Sequence, residues 1–150
     1  MPQSIAYILL HLVFSTKDRL PHLNEAIRSE LHPYLATVAR NAGCEALRVG
    51  GASDHVHLAI RFSRTVSVAS LIEELKTGSS KWLKKRFPNL PNFSWQRGYS
   101  AFSISPEDQN GLLVYIENQE EHHRIVTFQD EYRALLTEFG VEYDERYMWD

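Results

Sequence analysis

The sequence predicts an α+β fold with a ferredoxin-like β-α-β-β-α-β core, an antiparallel sheet that carries helices, and an additional helix after the last strand. Two observations support this prediction. Apolar residues alternate with a period of two at about residues 5–16, 44–62 and 98–104, as they do in strands. Apolar residues recur at helical spacing in the longer segments between and after these strands.

The first strand and the first helix come from the N-terminal part of the chain. Side chains alternate along a strand, so Leu12 and Phe14 are expected on one face of the first strand and His11 and Val13 on the other. Asn24 then precedes a helix predicted over about residues 25–42. Its side chain can accept a hydrogen bond from a backbone N–H of the first turn.

The central part of the chain is predicted to form a hairpin followed by a second helix. Two strands within residues 44–62 are joined across Gly50, Gly51 and the polar residues after them. Ser67 opens the second helix, in which apolar residues recur at helical spacing, and Pro88 ends it.

The fourth strand is followed by a third helix with a clear start. Ser105 is its predicted N-cap, Pro106 occupies the first helical position, and Asp108 lies three residues after the cap, as in a capping box. Thr127 and Asp130 repeat this spacing before a short C-terminal helix at about residues 128–138. The last ten residues are predicted to be an acidic tail or lid.

Length and composition indicate a single soluble domain. We expect one domain over residues 1–150, with a core at about 5–125 and a C-terminal helix and tail at about 126–150. The single cysteine, Cys44, excludes an internal disulfide. The N-terminal apolar run lacks a basic start and is short for a membrane span, so we expect a cytoplasmic protein.

Charge is unevenly distributed along the chain, although the net charge is only −3. Residues 61–97 contain eight basic and two acidic side chains, whereas residues 107–150 contain three basic and twelve acidic ones. The basic segment is compatible with phosphate contacts. It is equally compatible with the solvated face of a lysine-rich helix.

The motif "DHVHLAI" (residues 54–60) contains two histidines in a strand that is otherwise apolar. His55 and His57 are two residues apart and therefore point to the same face, where both rings can converge on one ion. His11 in the first strand can approach them as a supporting partner. The alternative is that both histidines are core residues without a metal, because so short a motif also arises by chance.

A second motif, "YIENQ", lies on the third helix. Tyr115 and Gln119 are four residues apart and share one helical face, as a tyrosine nucleophile beside a metal-binding amide requires. A core tyrosine and a surface glutamine are the alternative interpretation. We interpret His122 and His123 mainly as surface or interface residues and not as additional ligands.

Four segments together resemble the single-tyrosine HUH transposases of small insertion sequences. The segments are "SDHVHLAI", "LKTGSSKWL", "FSWQRGYSAFS" and "YIENQEEHH", in the order of that family, and they cover nearly the whole chain. The resemblance implies that His55, His57 and Gln119 bind Mg²⁺ or Mn²⁺ and that Tyr115 is the nucleophile. It implies cleavage and rejoining of single-stranded DNA through a 5′-phosphotyrosine, with DNA hairpins recognised at the element ends.

The resemblance also implies a homodimer whose active sites are shared between subunits. The candidates for phosphate contacts are Lys76, Ser79, Ser80, Lys81, Lys84 and Lys85. Trp95, Gln96 and Arg97 are candidates for stacking on or positioning the DNA. Trp82 is at helical spacing and is expected in the core.

Two other functions remain open from the sequence. A protein of this fold could bind DNA or RNA hairpins without turnover, and it would need neither Tyr115 nor a metal. Alternatively, a metal-dependent phosphoesterase could use His55 and His57 with water as the nucleophile. The phosphoesterases with two histidine motifs carry a second His-x-Ser/Thr, which the sequence lacks.

Overall fold

The computed structural model describes residues 2–150 and shows a four-stranded antiparallel sheet with helices on both faces. The strands are β1 (Leu9–Ser15), β2 (Glu45–Gly51), β3 (His55–Arg61) and β4 (Ser100–Ile104). Their spatial order is β2-β3-β1-β4, and all neighbouring strands are antiparallel. This arrangement confirms the predicted ferredoxin-like fold class.

Within residues 2–150, five α-helices accompany the sheet: α1 (Glu25–Asn41), α2 (Val68–Arg86), α3 (Gln109–Glu117), α4 (Gln119–His123) and α5 (Phe128–Glu138). Asn24, Ser67 and Thr127 each accept a hydrogen bond from the backbone N–H three residues further on, at 2.9, 3.1 and 3.2 Å. These three helix starts therefore lie where the sequence predicts them. No helix within residues 2–150 has both the length and the apolar character needed to cross a bilayer.

The two faces of the sheet carry different helices. The main core lies between one face, with Leu12 and Phe14, and the helices α1 and α2. On the other face, Val13 and Phe102 pack against α5. Ala59 on that same face packs against α3. The alternation in β1 thus separates two apolar layers, and the histidines of β1 and β3 belong to the layer of α3 and α5.

Two strands begin later than the sequence predicts. β1 starts at Leu9, which pairs with Arg61 and Ile104, the last residues of β3 and β4. Just before it, the carbonyl oxygen of Ile8 accepts from the N–H of Phe62 at 2.7 Å. β4 starts at Ser100. The N–H of Gly98, just before it, donates to the backbone oxygen of the C-terminal residue at 2.8 Å.

The glycines assigned to the hairpin turn lie inside β2, and the turn itself consists of residues 52–54. A Cβ atom on Gly50 would lie 2.3 Å from the carbonyl oxygen of Ile116 in α3. The role of Gly50 is therefore to let α3 pack directly on the backbone of β2, and this contact places the helix that carries Tyr115.

The third helix is less regular than predicted. Residues 106–108 form a 3₁₀ turn, and the side chain of Ser105 donates to the carboxylate of Asp108 at 2.9 Å, so the predicted capping box is not formed. The helix is also interrupted at Asn118, which separates α3 from α4. Tyr115 and Gln119 consequently lie on two short helices and not on one continuous helix.

The last residues fold back onto the molecule. The ring of Trp149 lies 5.5 Å from that of Tyr132 and 6.3 Å from that of Phe128, both on α5. The backbone oxygen of Asp150 accepts hydrogen bonds from Gly98 and from the side chain of Gln96. The predicted acidic tail therefore packs against α5 and the start of β4.

Candidate metal centre

A cluster of five polar side chains lies on the face of the sheet that α3, α4 and α5 cover. The cluster consists of His55 and His57 from β3, Gln119 and His123 from α4, and Glu131 from α5. One ligand atom from each histidine and from Glu131 lies within 4.8 Å of all the others. All five side chains are buried except that of His123, which is 13% exposed.

The distances within the cluster suit a common ion. The Nε2 atom of His55 lies 3.1 Å from the Oε1 of Gln119 and 3.1 Å from the Nε2 of His123. The Nε2 of His57 lies 3.0 Å from the Oε1 of Glu131. Adjacent ligands that are each about 2.1 Å from one metal ion lie about 3 Å apart, so the donor set fits a divalent cation.

Each histidine of the cluster also has a partner outside it. The Nδ1 of His55 lies 2.8 Å from a carboxylate oxygen of Asp54, and the Nδ1 of His57 lies 2.7 Å from the Nε2 of His11. The Nδ1 of His123 lies 2.8 Å from a backbone carbonyl oxygen. Hydrogen bonds of this kind orient metal-binding histidines and leave Nε2 free for the ion.

The electrostatics of the cluster favour a cation. Burial lowers the pKa of His57 to about 4 and that of His11 to about 3, so both imidazoles are neutral at pH 7. Burial also acts to raise the pKa of Glu131, but hydrogen bonds from His123 and His57 hold it well below its ordinary value. The cluster therefore presents the neutral imidazole of His57 together with a buried carboxylate.

Tyr115 lies beside this cluster within the same chain. Its ring centroid is 5.6 Å from that of His57 and 6.1 Å from that of His11. The tyrosine lines a cleft of about 990 Å³ between α3 and α5. Burial and the negative charge of Glu131 raise the pKa of Tyr115 well above its ordinary value, so the phenol is protonated at neutral pH.

The cleft next to Tyr115 is acidic. Glu107, Asp108, Glu131 and Glu138 line it, and no lysine or arginine does so among residues 2–150. A phosphate group that enters this cleft meets negative charge unless a cation occupies the cluster. A divalent ion would supply that compensation.

The structure brings together His55, His57, Gln119, Tyr115 and the predicted supporting residue His11. It corrects the interpretation of His123, whose Nε2 faces the cluster and not the surface. Its spacing of four residues from Gln119 was a usable signal. Glu131 was missed, although an acidic residue on the apolar face defined by Phe128, Tyr132 and Leu136 also indicated a buried partner.

The predicted DNA contacts fall into two groups. Trp95 is buried and donates through Nε1 to the Oγ of Ser79 at 2.9 Å, and the buried Gln96 accepts from the N–H of Ser15 at 2.7 Å. The ammonium of Lys76 donates to the backbone carbonyls of residues 96, 97 and 98. The remaining candidates are exposed or half-buried: Ser80, Lys81, Lys84, Lys85 and Arg97.

Trp82, expected in the core, is partly buried against it, and its ring stacks on Tyr34 with 4.7 Å between centroids. It therefore contributes to packing between α1 and α2. This placement agrees with the interpretation of Trp82 as a core residue.

The chain is similar to a known protein family and to solved structures. The profile of the family described as "Transposase IS200 like" matches residues 4–119. The fold is similar to that of a protein from Deinococcus radiodurans R1 described as a transposase, with a TM-score of 0.65 and 24% identity over 79% of this chain and 98% of that one.

The fold is also similar to a REP-associated tyrosine transposase bound to a REP hairpin. The TM-score is 0.59, with 17% identity over 96% of this chain and 93% of that chain. No curated protein sequence gives a significant match.

Proposed function

Because the chain belongs to the family of IS200-like transposases, we propose that it cuts and rejoins single-stranded DNA with Tyr115 as the nucleophile. One observation carries this proposal beyond the family. His55 and His57 come from β3, Tyr115 from α3 and Gln119 from α4, and these side chains lie around one buried cluster beside a cleft. A tyrosine next to a metal-binding set is the arrangement that covalent cleavage needs.

His55, His57 and Gln119 would hold Mg²⁺ or Mn²⁺ as the catalytic ion. When bound, this ion polarises the phosphate and stabilises the negative charge that develops on it. The protein provides the orientation. Asp54 and His11 fix the two imidazole rings, and Glu131 accepts from the side-chain amide of Gln119 at 3.3 Å.

In the proposed step, the phenolic oxygen of Tyr115 forms a bond to the phosphorus of a DNA phosphodiester. The bond from phosphorus to O3′ breaks, the phenol proton passes to solvent, and the leaving 3′ oxygen takes up a proton. The 5′-phosphotyrosine conserves the ester bond, so a 3′-OH can reverse the step without ATP. Burial raises the pKa of Tyr115, so its phenol is protonated at neutral pH, and activation of the phosphate by the ion would favour its attack.

We propose DNA hairpins as the substrate, since a solved protein of this fold is described as bound to a REP hairpin. Lys81, Lys84 and Lys85 follow one another along the exposed side of α2 and are available for phosphates. Arg97 is also exposed.

The test is a covalent-adduct assay with a 3′-labelled single-stranded DNA hairpin and Mn²⁺ or Mg²⁺. We expect labelled DNA to remain attached to the protein, and we expect Tyr115→Phe to abolish both the adduct and cleavage. Tyr143→Phe, at an exposed tyrosine outside the cleft, is the matched control and should retain both. Full cleavage by Tyr115→Phe would favour a water nucleophile, and binding without any cleavage by the parent would favour a hairpin-binding protein.

Mixing two inactive variants tests whether a homodimer shares its active sites between subunits. Tyr115 and His57 meet here within one chain, which supports an active site formed in cis. Mixing Tyr115→Phe with His57→Ala should then give no cleavage. Recovery of cleavage in the mixture would instead establish that one subunit's tyrosine works at its partner's histidines.

A further inference from the structure

We propose that His123 and Glu131 bind the same metal ion as His55 and His57, so that the C-terminal helix α5 supplies the charged ligand of the centre. The inference rests on the proposed function, because the ion is the one proposed for DNA cleavage. It adds two residues that lie outside the His-x-His motif. It also assigns a role to α5 beyond packing.

The hydrogen bonds of His123 and His55 support His123 as a ligand of the ion. The partners of Nδ1 in His55 and His123 are a carboxylate and a backbone carbonyl, which only accept, so both Nδ1 atoms carry the proton. When both imidazoles are neutral, both Nε2 atoms therefore present lone pairs, and they lie 3.1 Å apart. The Oε1 of Gln119 lies 2.9 Å from the Nε2 of His123 and is a third acceptor. Three acceptors that face one another need a shared positive centre.

Glu131 is a buried carboxylate, with only 3% of the residue exposed. Among residues 2–150 its ion-pair partners are four histidines, with no lysine or arginine. Its Oε1 lies 3.0, 3.5 and 3.9 Å from the Nε2 atoms of His57, His123 and His55. A buried carboxylate is stable only when it is paired or binds a metal, and here the Nε2 atoms of four histidines surround it, with that of His122 3.0 Å from Oε2.

The consequence is a coupling between metal binding and the docking of α5. Glu131 is the only member of the cluster that comes from α5, and the helix otherwise packs on the sheet through apolar side chains. If the carboxylate binds the ion, the ion must also hold α5 in place, and the two equilibria are thermodynamically linked.

The first test counts ligands on the full-length protein loaded with one equivalent of Mn²⁺, using X-ray absorption spectroscopy at the metal edge. We expect three imidazole ligands in the parent and two in His123→Ala. Two imidazoles in both would overturn the assignment of His123 and would indicate a protonated His123 in its place. This measurement on the parent protein does not depend on how any variant folds.

The second test measures Mn²⁺ affinity by isothermal titration calorimetry. Glu131→Gln keeps the shape of the side chain and removes its charge, and it should weaken binding at least tenfold. Asp130→Asn removes the same charge from an exposed position on the same helix, outside the cleft, and should change the affinity less than twofold. Equal affinities of Glu131→Gln and the parent would overturn the role of Glu131.

Hydrogen exchange distinguishes two roles of Glu131, as a ligand of the ion or as a residue that only orients His57. Hydrogen exchange of the α5 amides should slow on addition of Mn²⁺ in the parent and in Asp130→Asn, but not in Glu131→Gln. Exchange that slows equally in all three would contradict the coupling. If the metal measurements come out as expected but no DNA adduct forms on Tyr115, only the proposed function is rejected. If the adduct forms but the parent shows only two imidazole ligands, only the present inference is rejected.

Discussion

The side chain of Lys76 shows how burial changes the role of a basic residue. Its Nζ lies 2.8, 3.2 and 2.6 Å from the carbonyl oxygens of residues 96, 97 and 98, and burial lowers its pKa from 10.5 to about 8. The lysine thus closes the segment before β4 onto α2. It is a structural residue in the free protein, while Lys81 on the same helix is exposed.

We predict a pH-dependent stability difference for Lys76→Met. Below pH 8 the lysine is charged in both the folded and the unfolded chain, and its burial costs stability. Between pH 8 and 10.5 the folded chain loses the proton first, so the contribution of Lys76 to the free energy of unfolding rises. The free energy of unfolding of the parent minus that of Lys76→Met should rise by about 1 kcal/mol over this pH range, after allowance for the partial exposure of the lysine.

Urea unfolding at pH 7, 8, 9 and 10 checks this prediction. Lys81→Met is the control, because its exposed ammonium should give a difference that does not change with pH. A constant difference for Lys76→Met would show that the lysine is not desolvated.

At the histidines, we predict that His57→Ala abolishes cleavage and leaves hairpin affinity within about twofold of the parent. The ring faces Glu131 and His11 and lies away from the exposed side of α2, so its loss should remove metal binding but not DNA contacts. His32→Ala, at a partly buried histidine of α1 outside the cluster, should retain both activities. Equal loss of cleavage and affinity in His57→Ala would indicate a structural role.

At the scale of elements, the position of α3 depends on Gly50 in β2. A methyl group there would meet the carbonyl of Ile116 at 2.3 Å, which is backbone and cannot yield as a side chain does. We predict that Gly50→Ala lowers the free energy of unfolding by about 1–3 kcal/mol. It should also weaken Mn²⁺ binding, because the shift of α3 displaces Gln119 just beyond it.

Gly111→Ala is the matched control on α3 itself. A methyl group at this position would have no neighbouring atom within 4 Å, so the substitution should raise the free energy of unfolding by up to about 1 kcal/mol through helix propensity. Thermal melts and calorimetry measure both variants. Unchanged stability and metal affinity in Gly50→Ala would show that α3 is not fixed by this contact.

At the scale of the whole molecule, opposite charges lie in different layers. Three exposed lysines, Lys81, Lys84 and Lys85, are on α2, which packs on one face of the sheet, whereas the acidic cleft and the histidine cluster are on the other face. A bound hairpin that contacts α2 must therefore send its single strand around the sheet to reach Tyr115.

We predict that hairpin affinity falls with salt and that each of Lys81→Ala, Lys84→Ala and Lys85→Ala reduces the slope of log affinity against log salt by about 1. Arg133→Ala is the control, since this arginine is on α5 and pairs with Glu145. Fluorescence anisotropy between about 50 and 200 mM salt measures the slopes. If these variants have the same slope as the parent, the DNA does not contact the lysines of α2.

The sequence by itself determined the fold class, the caps of three helices and the two faces of β1. These features depend on local patterns, because side chains alternate along a strand and a cap residue acts within one turn. The same local patterns placed His55 beside His57 on one face, and Tyr115 and Gln119 on one helical face. The resemblance of four segments to a known family, and not these patterns, implied that the two pairs act together. The strand ends and the capping box were predicted less well, because partner strands and the side chain of Asp108 decide them.

Only the tertiary structure decided which distant residues complete the cluster. Glu131 is 74 positions from His57 in the chain, and it reaches this histidine because apolar packing presses α5 onto the sheet. Trp95 and Ser79 likewise became internal partners through the packing of α2 against the segment before β4. Long-range contacts of this kind depend on the arrangement of whole layers, which no short window of sequence contains.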